Sequence, residues 1–93
     1  MSDEEGTVSI LSHEERALAR HLAANPEATP AEIAAARNRS EEAVVKAIDR
    51  IRTKTRRAYA TLIESPFAAE AADELSLEDR RALRALLDEA DAE

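Results

Sequence analysis

The sequence contains no cysteine, no tryptophan, one glycine and three prolines among its 93 residues. Without cysteine, the chain can form neither a disulfide framework nor a thiolate zinc site. Glycine and proline interrupt helices, and here both are scarce, whereas alanine, leucine, glutamate and arginine are abundant. This composition favours helix over strand along the whole chain, so we expect an all-α protein.

Large apolar side chains are also few. Alanine accounts for 21 of the 41 hydrophobic residues, which leaves 20 large side chains to build a core. A core of this size supports one small domain, and small domains without disulfides are often reinforced by self-association. We therefore expect a homodimer.

Membrane and export signals are absent from the sequence as well. No apolar run approaches the roughly 20 residues that cross a bilayer. The first six residues, Met-Ser-Asp-Glu-Glu-Gly, are acidic, whereas a signal peptide begins with basic residues. We expect no membrane association and a cytoplasmic location.

The pattern of histidines and serines gives no sign of catalysis. His13 and His21 are not joined by a His-Glu-x-x-His motif, and no serine has the flanking glycines of a nucleophile elbow. There is also no glycine-rich phosphate loop. We expect a non-enzyme with no catalytic residue, no metal and no cofactor.

Positive charge is concentrated in the middle of an acidic chain whose net charge is −7. Residues 1–36 carry 2 basic and 7 acidic groups, residues 37–57 carry 8 and 3, and residues 58–93 carry 3 and 10. The local field governs contact with phosphate more than the total charge does. The central segment is therefore the candidate anion-binding surface.

A capping box marks the start of the first helix. Ser12 and Glu15 have the Ser-x-x-Glu spacing in which each side chain satisfies a free backbone N–H of the first turn. The helix is expected from about His13 to Ala24, with Leu18 and Leu22 buried. Residues 1–7 before it are expected to form a disordered acidic tail.

The second helix has the strongest start signal in the chain. Thr29-Pro30-Ala31-Glu32 combines an N-cap threonine, a proline at the first helical position and a capping-box glutamate. The helix is expected to end near Arg37, with Ile33 and Ala36 facing inward. Asn38 then tolerates the left-handed backbone that a tight turn between helices requires.

Ser40 caps a long third helix that is expected to continue to Glu64. One stripe of this helix should be buried: Val44, Ile48, Ile51, Thr55, Ala58 and Leu62, widened by Ala47 and Tyr59. A second stripe should meet solvent or an anion: Lys46, Arg50, Lys54 and Arg57, with Thr53 among them and Arg56 to one side.

The third helix is followed by two shorter helical segments. Ser65 is expected to cap a short helix with Pro66 in its first turn, and Ser76 to open a last helix with an apolar face of Leu83, Leu86, Leu87 and Ala90. Residues 65–93 form either a brace within the chain or a dimerisation element, and residues 8–64 form the main domain.

A short helix, a three-residue turn and a longer helix with basic residues outline a helix-turn-helix. The residues that form this outline are Leu11-Ser12, Glu15, Leu18, Leu22-Ala23, Thr29, Glu32-Ile33-Ala34, Ser40, Ala43-Val44, Ile51 and Lys54. This set resembles the tri- or tetrahelical helix-turn-helix superfamily of DNA-binding domains, which includes response-regulator output domains, region four of sigma factors and archaeal regulators. The resemblance covers roughly residues 11–57. One departure is that cations at Arg37 and Arg39 stand where the family usually has apolar turn residues.

The resemblance implies that the third helix enters the major groove of double-stranded DNA. Base-facing positions would be Glu42, Val45, Lys46, Asp49 and Arg50, and positions near phosphates would be Arg37, Arg39, Thr53, Arg56 and Arg57, with Lys54 on the same cationic stripe. Alternatively, Glu42 pairs with Lys46, and Asp49 with nearby cations, on an ordinary solvated face.

The expected function is a helix-turn-helix transcription regulator. The alternative is a helical protein-interaction module that retains the helix-turn-helix frame and binds a protein partner through its C-terminal helix or through the apolar stripe of the long third helix.

Overall fold

The structure, a computed structural model, describes residues 9–91 and contains five helices and no strand in that range. The helices are α1 (His13–Ala24), α2 (Pro30–Arg37), α3 (Glu41–Glu64), α4 (Ala68–Ala72) and α5 (Leu77–Asp91). The expected all-α class and the long third helix are confirmed. The acidic tail predicted for residues 1–7 lies outside the described residues. None of the described helices is both long and apolar enough to cross a membrane.

Reciprocal capping fixes the starts of α1 and α2. The Ser12 hydroxyl accepts from the Glu15 backbone N–H at 3.2 Å, and the Glu15 carboxylate accepts from the Ser12 N–H at 2.9 Å. Thr29 and Glu32 form the same pair of bonds at 3.1 and 2.9 Å. Both predicted capping boxes are confirmed, and they satisfy backbone donors that a helix leaves without partners.

The turn between α2 and α3 depends on Asn38. Its φ of 59° and ψ of 48° lie in the left-handed region, and it is the one non-glycine residue with positive φ in the part of the chain that the structure describes. The Arg39 N–H then donates to the Ala34 carbonyl at 2.9 Å, and the Ser40 hydroxyl accepts from the Ala43 N–H at 3.0 Å. The chain thus leaves one helix and enters the next within three residues, as predicted.

The core lies where α1, α2 and the first half of α3 meet. Leu18, Ile33, Ala34 and Val44 are buried, and Leu22, Ala28, Ala47, Ile48 and Ile51 pack against them. The expectation that Ala36 faces inward is wrong, because Ala36 is exposed and Ala34 is buried instead. The buried face of α2 is centred between the adjacent residues Ile33 and Ala34. At helical spacing, Ala36 therefore points outward and Arg37 lies on the buried side.

The buried stripe of α3 ends earlier than predicted. Val44 is buried and Ile51 is half-buried, but Thr55, Ala58 and Leu62 are exposed. At 1.5 Å per residue, α1 and α2 are roughly 18 and 12 Å long, while α3 is roughly 36 Å. Helices of that length can cover only part of α3.

The described chain divides into two compact units after Ala58, within α3. The first unit contains the core described above. In the second unit, residues 59–91, no residue with a described side chain is buried. Its large apolar side chains are exposed at Tyr59, Leu62, Ile63, Phe67, Leu75, Leu77, Leu86 and Leu87.

The two short connections of the second unit differ from each other. The Ser76 hydroxyl accepts from the Asp79 N–H at 3.0 Å, so the predicted cap of α5 is present. The Ser65 hydroxyl accepts from the Phe67 N–H at 3.0 Å, but α4 begins only at Ala68. The expectation that Pro66 lies in the first turn of a helix capped by Ser65 is therefore wrong; both residues form a turn before the helix.

Candidate nucleic-acid interface

The first half of α3 presents one exposed face. Glu42, Val45, Lys46, Asp49 and Arg50, which were the predicted base-facing residues, are all exposed. Val45 keeps 48% of its surface exposed although it stands next to the buried Val44. The opposite face of the helix is packed into the core, so these five side chains project away from it together.

The predicted phosphate-contacting residues lie around this face. Arg39, Arg56 and Arg57 are exposed, while Arg37 and Thr53 are half-buried. Arg56 donates to the Thr53 hydroxyl at 3.4 Å, a long hydrogen bond that leaves most of the guanidinium available. The structure therefore places cations at the α2–α3 turn and farther along α3.

A buried carboxylate changes the role of two predicted residues. The Glu15 carboxylate accepts from Lys54 Nζ at 2.7 Å and from Arg50 Nε at 3.1 Å, while its side chain is 5% exposed. Lys54 is half-buried, whereas the Arg50 side chain remains 58% exposed and has further N–H donors. Arg50 is thus held at the edge of the exposed face, and Lys54 is directed toward α1.

From the sequence, the structural role predicted for Glu15 was in the capping box alone. A signal for its second role was present, because Glu15, Leu18 and Leu22 have the 3,4 spacing of one helix face. A carboxylate on a buried face requires cationic partners. Which cations these are depends on the packing of α1 against α3.

Lys54 has the largest effect on the acidity of Glu15. Its hydrogen bond, those from Ser12 and Arg50, and the positive charge of Lys54 lower the pKa of Glu15 from 4.5 to about 2, against the opposing effect of burial. The carboxylate therefore stays ionised at neutral pH and keeps both cations attracted to it.

The other ion pairs are at the surface. Lys46 lies 3.5 Å from Glu42 in an i,i+4 pair, as the solvated-face alternative predicted, and Arg39 pairs with Glu14. Within residues 9–91, Asp49 has no ion pair, so that alternative is supported at one of its two positions. Exposed pairs of this kind contribute little, and each partner can readily exchange for another ion.

A groove runs beside the exposed face, between the start of α2 and α3. It has a volume of about 560 Å³ and is lined by Pro30, Val45, Lys46, Asp49, Arg50 and Arg52. Arg52 was missed by sequence analysis because it lies outside the cationic stripe counted on α3. In the fold, its exposed side chain lines the groove beside Val45 and adds a cation there.

No group of three or more histidine, aspartate or glutamate side chains suited to a metal ion occurs in the described part of the chain. His13 is exposed at the first position of α1, and His21 is half-buried in its last turn.

The chain was compared with protein-family models, curated proteins and solved structures. No protein-family model, no curated protein and no solved structure matches the chain.

Proposed function

We propose that the protein is a helix-turn-helix DNA-binding regulator without catalytic activity, acting in the cytoplasm. The observation that carries this proposal is the exposed face of α3, which begins immediately after the Asn38 turn and is held outward by the core beneath it. An α-helix fits the major groove of B-DNA, so the first turns of α3 would read base edges.

The charge of the first unit supports this role. Its described residues, 9–58, include ten basic and seven acidic side chains, and Glu15 is buried between two of the cations. Arg39, Arg52, Arg56 and Arg57 surround the exposed face and would contact phosphates on either side of the groove. Val45 would supply an apolar contact to a thymine methyl group, and Arg50 would donate to guanine.

Acidic side chains on the same face would restrict the choice of sequence. Glu42 and Asp49 repel phosphate but accept hydrogen bonds from the amino group of cytosine. Lys46 would leave Glu42 for a phosphate at little cost, because the pair is exposed and 3.5 Å long. Binding would then be weak on random sequence and stronger on a cognate site.

Fluorescence anisotropy with labelled random duplexes across a salt series tests the proposal. Wild-type affinity should fall steeply as salt rises, because phosphate contacts release counterions. Lys46→Ala with Arg52→Ala should make the plot of log K against log salt less steep by about 2, because each lost phosphate contact lowers the magnitude of its slope by roughly one.

The matched control is Arg20→Ala with Arg81→Ala, which removes the same charge at two exposed positions that do not belong to α3. This control should leave the slope unchanged. Equal flattening in both double variants would indicate attraction by net charge alone, and no binding at low salt would refute the proposal.

We further propose that the second unit makes the protein a homodimer. An open groove of about 390 Å³ is lined by Leu75, Leu83 and Leu87, and by Arg80, Arg84 and Asp88, which follow one another at four-residue spacing along α5. Antiparallel contact between two α5 helices would bring the arginines of one copy beside the carboxylates of the other. A second copy is therefore the complementary occupant of this surface.

A charge swap tests this arrangement by sedimentation over a range of protein concentrations. Arg84→Glu should weaken dimerisation, and Arg84→Glu with Asp88→Arg should restore it, because the swap recreates the complementary pair. Arg20→Glu is the control and should behave like the wild type. A monomer at every concentration would refute the dimer and favour the alternative function, in which the exposed leucines of α5 bind a different protein.

A further inference from the structure

A second pocket lies on the other side of the α3 face, between the first turns of α1, the α2–α3 turn and the start of α3. Its volume is about 210 Å³. Four cations and two carboxylates line it: Arg37, Arg39, Lys46, Arg50, Glu14 and Glu15. All belong to the first unit, and together they give the pocket wall an excess of two positive charges.

The two carboxylates are already shared among cations. Glu14 pairs with Arg39, and Glu15 is held by both Arg50 and Lys54. The pocket therefore has cationic donors that its own acidic groups do not satisfy. Lys46 contributes as well, since its ion pair with Glu42 is exposed and 3.5 Å long.

Arg37 is the side chain that most needs an acceptor. It lies on the inner side of α2, is half-buried, and makes no side-chain hydrogen bond or ion pair with any other residue in the range 9–91. A guanidinium that loses part of its hydration without gaining an acceptor raises the free energy of the fold. An anion in the pocket would supply that acceptor.

We propose that this pocket binds one phosphoryl group. Arg37 donates to two of its oxygens through the planar guanidinium, and Lys46 supplies a second positive charge. A phosphate's charge matches the excess of two positive charges, and the pocket holds the volume of about seven water molecules, enough for a phosphate and part of its ester substituent.

The position of the pocket indicates where the phosphate comes from. Lys46 and Arg50 line both this pocket and the groove beside α2. A nucleic-acid backbone lying along the exposed face of α3 would therefore pass the mouth of the pocket. The binding of a phosphoryl group stands on the pocket itself; only the assignment to a DNA backbone rests on the proposed function.

NMR of the arginine Nε–Hε groups tests the pocket directly. Inorganic phosphate replaces chloride at constant ionic strength, and the Arg37 and Arg50 signals should shift and saturate while the exposed Arg20 signal stays in place. Arg37→Gln should weaken phosphate binding about tenfold or more, and Arg20→Gln should not. Equal, unsaturated shifts of all arginines in the wild type would overturn the proposal, whether or not the variants fold.

Duplex binding then identifies the source of the phosphate. If Arg37→Gln weakens duplex binding, and phosphate competes with the duplex more strongly than chloride does, the pocket takes a backbone phosphate. If phosphate binds but the variant binds duplex normally, the pocket takes a free phosphate ester. Both results support the pocket.

Failure of the pocket can be told from failure of DNA binding. Saturable phosphate shifts in a protein that binds no duplex would refute the proposed function and leave the pocket intact. Duplex binding with no phosphate response at Arg37 and Arg50 would refute the pocket and leave the proposed function intact.

Discussion

The two units are both built from helices but differ in burial and charge. The first encloses Ile33 completely and carries ten basic and seven acidic side chains in residues 9–58. The second buries no described side chain and carries three basic and nine acidic residues in positions 59–91. Three helices converge in the first unit, whereas α4 has only five residues and gives α5 little to pack against. Helical periodicity alone therefore does not produce a core.

The largest expected effect comes from removing the centre of the first core. Ile33→Ala should lower the free energy of unfolding by about 2–5 kcal/mol, because Ile33 is fully buried and neighbouring helices cannot fill the cavity. Leu87→Ala in the second unit should change it by less than about 0.5 kcal/mol at concentrations below dimerisation. Urea unfolding measures both. Equal losses at low concentration would mean that the second unit has a core within one chain.

The turn that exposes α3 should be the next most sensitive position. Asn38→Ala should cost about 1–2 kcal/mol, because a residue with a Cβ resists the left-handed backbone and alanine lacks the short polar side chain of asparagine. Asn38→Gly should leave stability unchanged within a few tenths of a kcal/mol. Urea unfolding measures both variants. A similar loss of unfolding free energy in both would show that the asparagine side chain contributes more than the left-handed backbone conformation does.

Acid should weaken the first unit through Glu15. Its pKa is lowered on folding, so its contribution is fully present above pH 4.5 and is lost as the pH falls toward 2. The melting temperature of the wild type should fall as the pH is lowered through this range, and the difference between the melting temperatures of the wild type and Glu15→Gln should shrink. The exposed control Glu27→Gln should follow the wild-type profile. A constant difference between wild type and Glu15→Gln would contradict the charged contact.

The smallest effect on stability is expected at the surface pair of α3. Glu42→Gln should change the free energy of unfolding by less than about 0.5 kcal/mol, because the pair with Lys46 is exposed. The same variant should bind random duplex more tightly, since a charge that repels phosphate is gone. Glu70→Gln makes the same charge change in the second unit and should leave duplex affinity at the wild-type value. Equal gains in both would attribute the effect to net charge.

The sequence by itself determined the local structure. Capping boxes at Ser12 and Thr29, and Asn38 between two helices, placed the starts of α1 and α2 and the turn before α3, because these signals act within three or four residues. The same locality explains why the exposed face of α3 was predictable from its spacing.

Only the tertiary structure decided how far the core extends and which charges meet. Glu15 contacts Arg50 and Lys54 across more than thirty positions of sequence, and the apolar core along α3 extends only as far as Ile51. Arg37 was recognisable in the sequence as a cation beside a turn, but not as a half-buried donor in a pocket. Contacts of this kind depend on how helices of different length pack, which the pattern within one helix does not record.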